Sequence, residues 1–237
     1  LKAGEVHYTS SKGLFDFQKT VVEVTSRSRG FTPNINQVVI TPGANIIIYY
    51  AVLCCVNPGD DVIVPDPGFP TYYSVLKLCG VNPIRVPLLE KNEFRMNPDD
   101  IRKAVTPNTR MIIINSPQNP TGALMTPDEI KEIYDIAEEY DLYLYSDEIY
   151  VRMIYDDTVK FSSPSIYDHC KKRTIVANGF SKAFAMTGWR LGTVIAPEDV
   201  AEKFALMLET TSSCVPPFIQ RAGIEAAVGD QSGNKIM

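Results

Sequence analysis

The chain has 237 residues, 45% of them hydrophobic, enough to bury a substantial core as one large domain without disulfide or metal staples. Its net charge of −5 is spread over scattered acidic and basic residues, which argues against a nucleic-acid stripe and a polybasic membrane anchor. Five cysteines, without CxxC or His/Cys ligand spacing, fit a reducing, cytoplasmic setting, and no apolar run is long enough to span a bilayer.

In chain order, the first well-marked element is a helix starting near Asn45 and running through "IIIYYAVLCCV". It is apolar all round and therefore expected to be buried, with Cys54 and Cys55 as buried thiols. Gly43 precedes it, so backbone amides at Ala44 and Asn45 are free to face an anion. Strand-like runs follow at 62–65, 84–86 and 111–115. A second helix is announced by Thr126 as N-cap, Pro127 at the first helical position and Glu129 completing a capping box. Its apolar stripe is Ile130, Ile133, Tyr134, Ala137 and Tyr140. Further strands are expected at 142–146, 174–178 and 193–196. Apolar runs alternating with amphipathic ones predict an α/β fold, a mostly parallel sheet covered by helices. Three strands end in polar residues, at Asn115-Ser116, Ser146-Asp147 and Asn178-Gly179. Ligands of open parallel sheets collect beyond the carboxyl ends of strands.

The stretch "VANGFSKAFAMTGWRLG", residues 176–192, runs off one of these strands into Ser181 and Lys182, with Arg190 eight residues on. As a nucleophile elbow, Gly179-Phe-Ser181-Lys-Ala183 is a near miss, and the hydrolase order needs a histidine downstream. Both histidines, His7 and His169, lie upstream. They are also too distant for a metal site without an HExxH motif, and the dinucleotide fingerprint G-x-G-x-x-G is absent. Lys182 is the better nucleophile, since an amine is activated by desolvation or by a neighbouring cation, and Arg190 is a candidate for that cation. Pyridoxal phosphate requires such a lysine, together with a carboxylate for its pyridine nitrogen and cations or amides for its phosphate. The chain offers an acid in "YSDEIY", an asparagine in "NSPQNPTG" and a glycine-led helix start in "TPGAN".

These motifs, with "YTSSKG" and "PDPGFPTY", stand in order over nearly the whole chain. The sequence resembles the class I/II aminotransferases, pyridoxal-phosphate enzymes of fold type I, and is most similar to their prokaryotic aspartate-aminotransferase subgroup. The resemblance implies roles position by position. Lys182 resembles the lysine that forms the imine with the cofactor and shuttles a proton. Asp147 resembles the acid on the pyridine nitrogen. Tyr150 and Asn119 resemble the pair that hydrogen-bonds the ring hydroxyl, and Phe69 the aromatic stacked on the ring. Arg190 resembles the phosphate clamp, helped by the helix-start amides of the Gly43-Ala44-Asn45 segment. Tyr8 resembles a tyrosine that reaches the phosphate of a neighbouring subunit, which implies a homodimer. Each also has a plainer reading: Asp147 and Asn119 as turn residues, Phe69 and Tyr8 as packing.

Where many relatives carry a phosphate-binding serine three residues before the lysine, this chain has Gly179, and Ser181 is the candidate replacement. The first residue is Leu1, and family members extend beyond both ends, so residues 1–237 are expected to be the large cofactor-binding domain. The arginine that relatives use for the substrate carboxylate has no match here. The implied activity is amino transfer between an α-amino acid, aspartate-like or of a broad, aromatic-accepting kind, and a 2-oxo acid. A carbon–sulfur lyase on the same cofactor, and a cofactor-binding fragment without turnover, are the alternatives.

Overall fold

The computed structural model describes residues 4–156 and 158–232; the chain ends, Leu1 and Met237 among them, lie outside the described residues. Its strands are β1 (Val38–Thr41), β2 (Asp61–Asp66), β3 (Asn82–Pro87), β4 (Thr109–Asn115), β5 (Tyr143–Asp147), β6 (Thr174–Gly179) and β7 (Gly192–Ile195). They form one sheet in the order β1-β7-β6-β5-β4-β2-β3. Neighbours run parallel except at β7, which is antiparallel to both β1 and β6. The expected α/β architecture is therefore the one the chain adopts.

Eight helices flank the sheet among the described residues: α1 (Phe15–Arg29), α2 (Asn45–Cys55), α3 (Pro70–Leu78), α4 (Pro98–Ala104), α5 (Pro127–Glu139), α6 (Ser165–Asp168), α7 (Glu198–Ser212) and α8 (Pro217–Val228). Strand alternation divides the core. Val39, Val62, Val64, Ile113, Tyr145, Ala177 and Val194 face α2, α3 and α7. On the other face, Ile63, Ile112, Ile114 and Leu144 pack on α4 and α5, while Ile40, Val176 and Ile195 meet α1 and α8. Each such buried aliphatic side chain contributes about 1.5–3 kcal/mol of transfer free energy.

The capping box of α5 forms as read. Thr126 Oγ1 accepts from the Glu129 amide at 3.2 Å, and Glu129 Oε2 accepts from the Thr126 amide at 2.8 Å. Tyr140, expected in the buried stripe, instead follows the last turn and is 42% exposed. The helix α2 is also less enclosed than its composition predicts. Ile47, Ile48, Ala51 and Val52 are buried, but Leu53 is 42% exposed, and Cys54 and Cys55 are only half-buried. A single sheet face covers one side of a helix, so apolarity all round does not guarantee burial all round. The strand β1 is absent from the expectations above. It is only four residues long, and a 3-10 turn at Ile35–Gln37 leads into it.

The register at one rim matters most. Thr41 at the end of β1 pairs with Gly192 at the start of β7, and Gly192 pairs with Gly179 at the end of β6. Asp147 and Asn115 end β5 and β4 beside them, paired with each other. The rim gathers four carboxyl-terminal strand ends in one row.

Candidate active site

A cavity of about 460 Å3 opens at this rim, on the face covered by α2 and α3. That size lies within the range of about 300–1,000 Å3 usual for small-molecule sites. Ala44, Asn45, Phe69, Asn119, Asp147, Tyr150, Ser181, Lys182 and Arg190 all line it. Gly43 lies just behind, against Arg190. Tyr8 is elsewhere on the surface, 86% exposed, and is not brought into the cavity of its own chain.

Asp147 stands on the floor because it is the last residue of β5, pointing to the same side as Tyr145. Its Oδ2 accepts the hydroxyl of Tyr72 at 2.6 Å, and its Oδ1 accepts the amide of Ile149 at 3.3 Å. Burial pushes its pKa up to about 6, and the negative Glu148 adds to that. The bonds from Tyr72 and Ile149 pull the other way. Among the described residues it has no cationic partner, and the carboxylate is poised to gain one.

Asn119 and Tyr150 meet above Asp147: the Asn119 amide nitrogen donates to the Tyr150 hydroxyl oxygen at 3.2 Å. Asn119 is itself held by its backbone amide, which donates to Asn115 Oδ1 at 2.7 Å. Burial raises the Tyr150 phenol above its ordinary range, Asp147 raises it further, and the bond from Asn119 opposes both. Phe69 closes one wall and packs edge-on against Tyr72, with ring centroids 5.6 Å apart.

Lys182 and Arg190 belong to one connection, between β6 and the antiparallel β7. The connection is closed at its base by the Phe180 amide donating to the Leu191 carbonyl at 3.1 Å. Lys182 sits exposed in a turn whose carbonyl accepts from the Ala185 amide at 3.1 Å. Arg190 takes a left-handed backbone conformation, φ 50°, and its Nη1 donates to the Thr187 carbonyl at 2.9 Å. That conformation costs a non-glycine residue roughly 1–3 kcal/mol and turns the guanidinium back toward the start of α2. Gly43, at φ +91°, supplies the space, since a Cβ there would collide with Nη2 of Arg190.

The chemistry of this donor set fits a phosphorylated, ring-bearing cofactor. Arg190 makes no ion pair among the described residues, and no side chain caps α2. A guanidinium and a row of helix-start amides thus face the same end of the cavity, a ready anion site. At the other end stand an acid with no cation paired to it among the described residues, and a neutral asparagine–tyrosine pair. Gly179 has a local reason as well. A Cβ on it would lie 2.8 Å from Ile149 Cδ1 and 3.1 Å from Ala44 Cβ, so a serine at that position would crowd the start of α2.

Sequence reasoning missed Tyr72 altogether. The signal available was its spacing, one helical turn beyond Phe69 on a helix that begins at Pro70. Nothing in the described residues forms a metal-binding cluster.

The profile of the family described as aminotransferase class I and II matches residues 3–235, and the chain belongs to that family. It is 40% identical over 236 residues to an aspartate aminotransferase of Pyrococcus horikoshii, covering 100% of this chain and 60% of the relative. It is also 40% identical over 237 residues to an aromatic-amino-acid aminotransferase of Thermococcus litoralis, 100% of this chain and 61% of that one. Among solved structures, an aromatic aminotransferase of P. horikoshii superposes with a TM-score of 0.94 at 37% identity, over 99% of this chain and 63% of its own. An aspartate aminotransferase of Thermus thermophilus with maleate gives 0.93 at 29% identity, over 99% and 60%. The chain thus spans about 60% of the length of the curated relatives it matches.

Proposed function

We propose that this chain is the cofactor-binding part, residues 1–237, of a pyridoxal-phosphate-dependent aminotransferase that exchanges an amino group between an α-amino acid and a 2-oxo acid. The observation carrying this reading is the convergence of Lys182, Asp147, Arg190 and the Asn119–Tyr150 pair on one cavity. Members of the family use pyridoxal phosphate, which when bound supplies an electron sink for charge that develops at the substrate Cα.

The chain's own residues then divide the work. Arg190 and the amides of Ala44 and Asn45 hold the phosphate, with the Ser181 hydroxyl beside them. Asp147 accepts a hydrogen bond from the protonated ring nitrogen and keeps that proton in place, while Tyr72 and the Ile149 amide keep Asp147 aimed. Asn119 and Tyr150 bind the ring hydroxyl, and Phe69 covers the ring and excludes water from one side. Lys182 would hold the cofactor through its side-chain amine, and the same amine is the group placed to take a proton from the substrate Cα.

The named relatives act on aspartate and on aromatic amino acids, so an aspartate-like or aromatic donor is the proposed substrate class. Tyr8 is proposed to serve the phosphate of a partner subunit in a homodimer, which accords with its exposure outside its own cavity. Five unpaired cysteines accord with a cytoplasmic setting, and among the described residues no helix is long and apolar enough to cross a membrane.

The test supplies pyridoxal phosphate, [15N]aspartate or [15N]phenylalanine, and 2-oxoglutarate, and follows label into glutamate. Transfer that disappears in Lys182→Ala is the expected result. Pyruvate release from cystathionine without transfer would replace the reading with a carbon–sulfur lyase. Cofactor binding with neither reaction would leave a binding domain without turnover.

A further inference from the structure

Directly behind the cavity floor lies a charged pair that the cofactor reading does not use. Asp147 and Glu148 are consecutive, and strand alternation turns them to opposite sides of the sheet. Asp147 faces the cavity, and Glu148 faces α1 with its side chain 1% exposed. There Arg29, the last residue of α1 and 119 residues away in sequence, donates Nε to Glu148 Oε2 at 2.8 Å and Nη2 to the same oxygen. Its side chain is only 7% exposed. The other carboxylate oxygen accepts the hydroxyls of Ser146, at 3.2 Å, and Ser163. The Glu148 amide is tied to the Ala177 carbonyl of β6 at 2.9 Å. Every lone-pair direction of a deeply buried carboxylate is thus engaged.

A buried carboxylate persists as an anion only when paired and hydrogen-bonded, and removing one partner leaves an uncompensated charge. Here that charge would stand one residue from the acid that is to meet the cofactor's ring nitrogen. We propose that Arg29 is a positioning residue for Asp147: by pairing with Glu148 it clamps the end of β5 and partly offsets the negative charge immediately behind the Asp147 carboxylate. This rests on the role of Asp147 in the function proposed above.

The surrounding ionisable groups frame the effect. On the cavity side Asp147 faces Tyr72 from α3, Tyr145 from β5, Tyr150, and across the opening Lys182 and Arg190. On the rear side Glu148 is approached by Arg29 and by Cys170 from the segment before β6, and Asp168 accepts the Cys170 amide. Arg152 also reaches this side, its guanidinium held below the ordinary range by burial and by Arg29. Among these, only Arg29 makes an ion pair with Glu148.

The experiment is a 13C carboxyl NMR titration of Asp147 in the full-length protein without cofactor, the resonance assigned by its loss in Asp147→Asn. The wild-type midpoint is expected near 6. Arg29→Met should raise it by about half a pH unit or more, because Glu148 then repels a second anion. Glu148→Gln should lower it by a similar amount, because Arg29 is left as an unopposed cation, and Arg29→Lys should return it toward wild type. Opposite displacements in the two variants support the inference. Unmoved midpoints, or displacements in one direction, overturn it and reduce the pair to a structural tie. If Arg29→Met does not fold, Glu148→Gln alone decides, with an unmoved or raised midpoint as the overturning result. The titration needs neither cofactor nor turnover, so its failure is distinct from failure to transfer an amino group.

Discussion

The hydroxyl of Tyr72 donates to Oδ2 of Asp147 at 2.6 Å, joining the first turn of α3 to the end of β5. The bond stabilises the charged form of Asp147, against a burial cost that favours the neutral one. Tyr72→Phe keeps the ring and its packing on Phe69 but removes this donor. A hydrogen bond to a charged group contributes about 1.5–3 kcal/mol, so cofactor affinity near pH 6.5 should fall roughly tenfold or more. Absorbance titration of the cofactor-free protein measures it, and wild-type affinity would remove Tyr72 from this role.

Asp147 also predicts a pH signature in the protein without cofactor. Its folded pKa, raised to about 6, lies above the unfolded value of about 3.9. The folded state therefore holds the proton more tightly, and the stability that protonation supplies is complete below pH 4 and lost as pH rises through 6. The change amounts to at most about 3 kcal/mol, less where cleft water screens the group. Urea unfolding at pH 4.5 and 7.5 should show this loss in wild type and not in Asp147→Asn. The same variant should keep the cofactor but lose most turnover, because an amide cannot support a positive ring nitrogen. Turnover near wild type would contradict the assignment.

At the phosphate end, Arg190→Ala should weaken cofactor retention, because it removes the guanidinium that faces the helix-start amides. Gly43→Ala offers a subtler test, since the added methyl meets the guanidinium and the residue's φ is +91°. It should shift Arg190 and weaken binding less than Arg190→Ala does. Cofactor surviving dialysis in Arg190→Ala would count against the clamp.

Assembly can be tested by subunit mixing. Tyr8→Phe and Lys182→Ala homodimers are each impaired in the proposed scheme. In a hybrid, the site with the intact lysine borrows its tyrosine from the lysine-less partner and is wild type throughout. Mixing should restore one class of site with normal cofactor affinity. Exchange of subunits without such sites would show that Tyr8 does not act across an interface.

Most of the rim was legible because it is built from short motifs, each beginning where an apolar run ends. Asp147 ends β5, Asn119 and Lys182 follow β4 and β6 at short offsets, and a parallel sheet brings those ends together whatever lies between. Two partners of the same site were not legible. Tyr72 lies in a different motif from Asp147, and the bond depends on how α3 docks on the sheet. Arg29 is one of two arginines in the last turn of α1, and only the packing of that helix selects it for Glu148. The strand β1 escaped notice for a related reason, four residues being too few to show a period.

The reversed direction of β7 has one further consequence. Because Gly179 pairs with Gly192, the lysine and the arginine are mounted on a single hairpin whose stem is pinned by two residues without room for side chains. A Cβ on Gly192 would lie within 2.5 Å of the Gly43 carbonyl carbon, so the stem is also wedged against the start of α2. The reach between the two cations is thereby set within one contiguous segment, independent of how distant helices settle. Lengthening that segment by even one residue would retune both ends of the site together, whereas growth in the loops after β4 or β5 would be felt by one end alone.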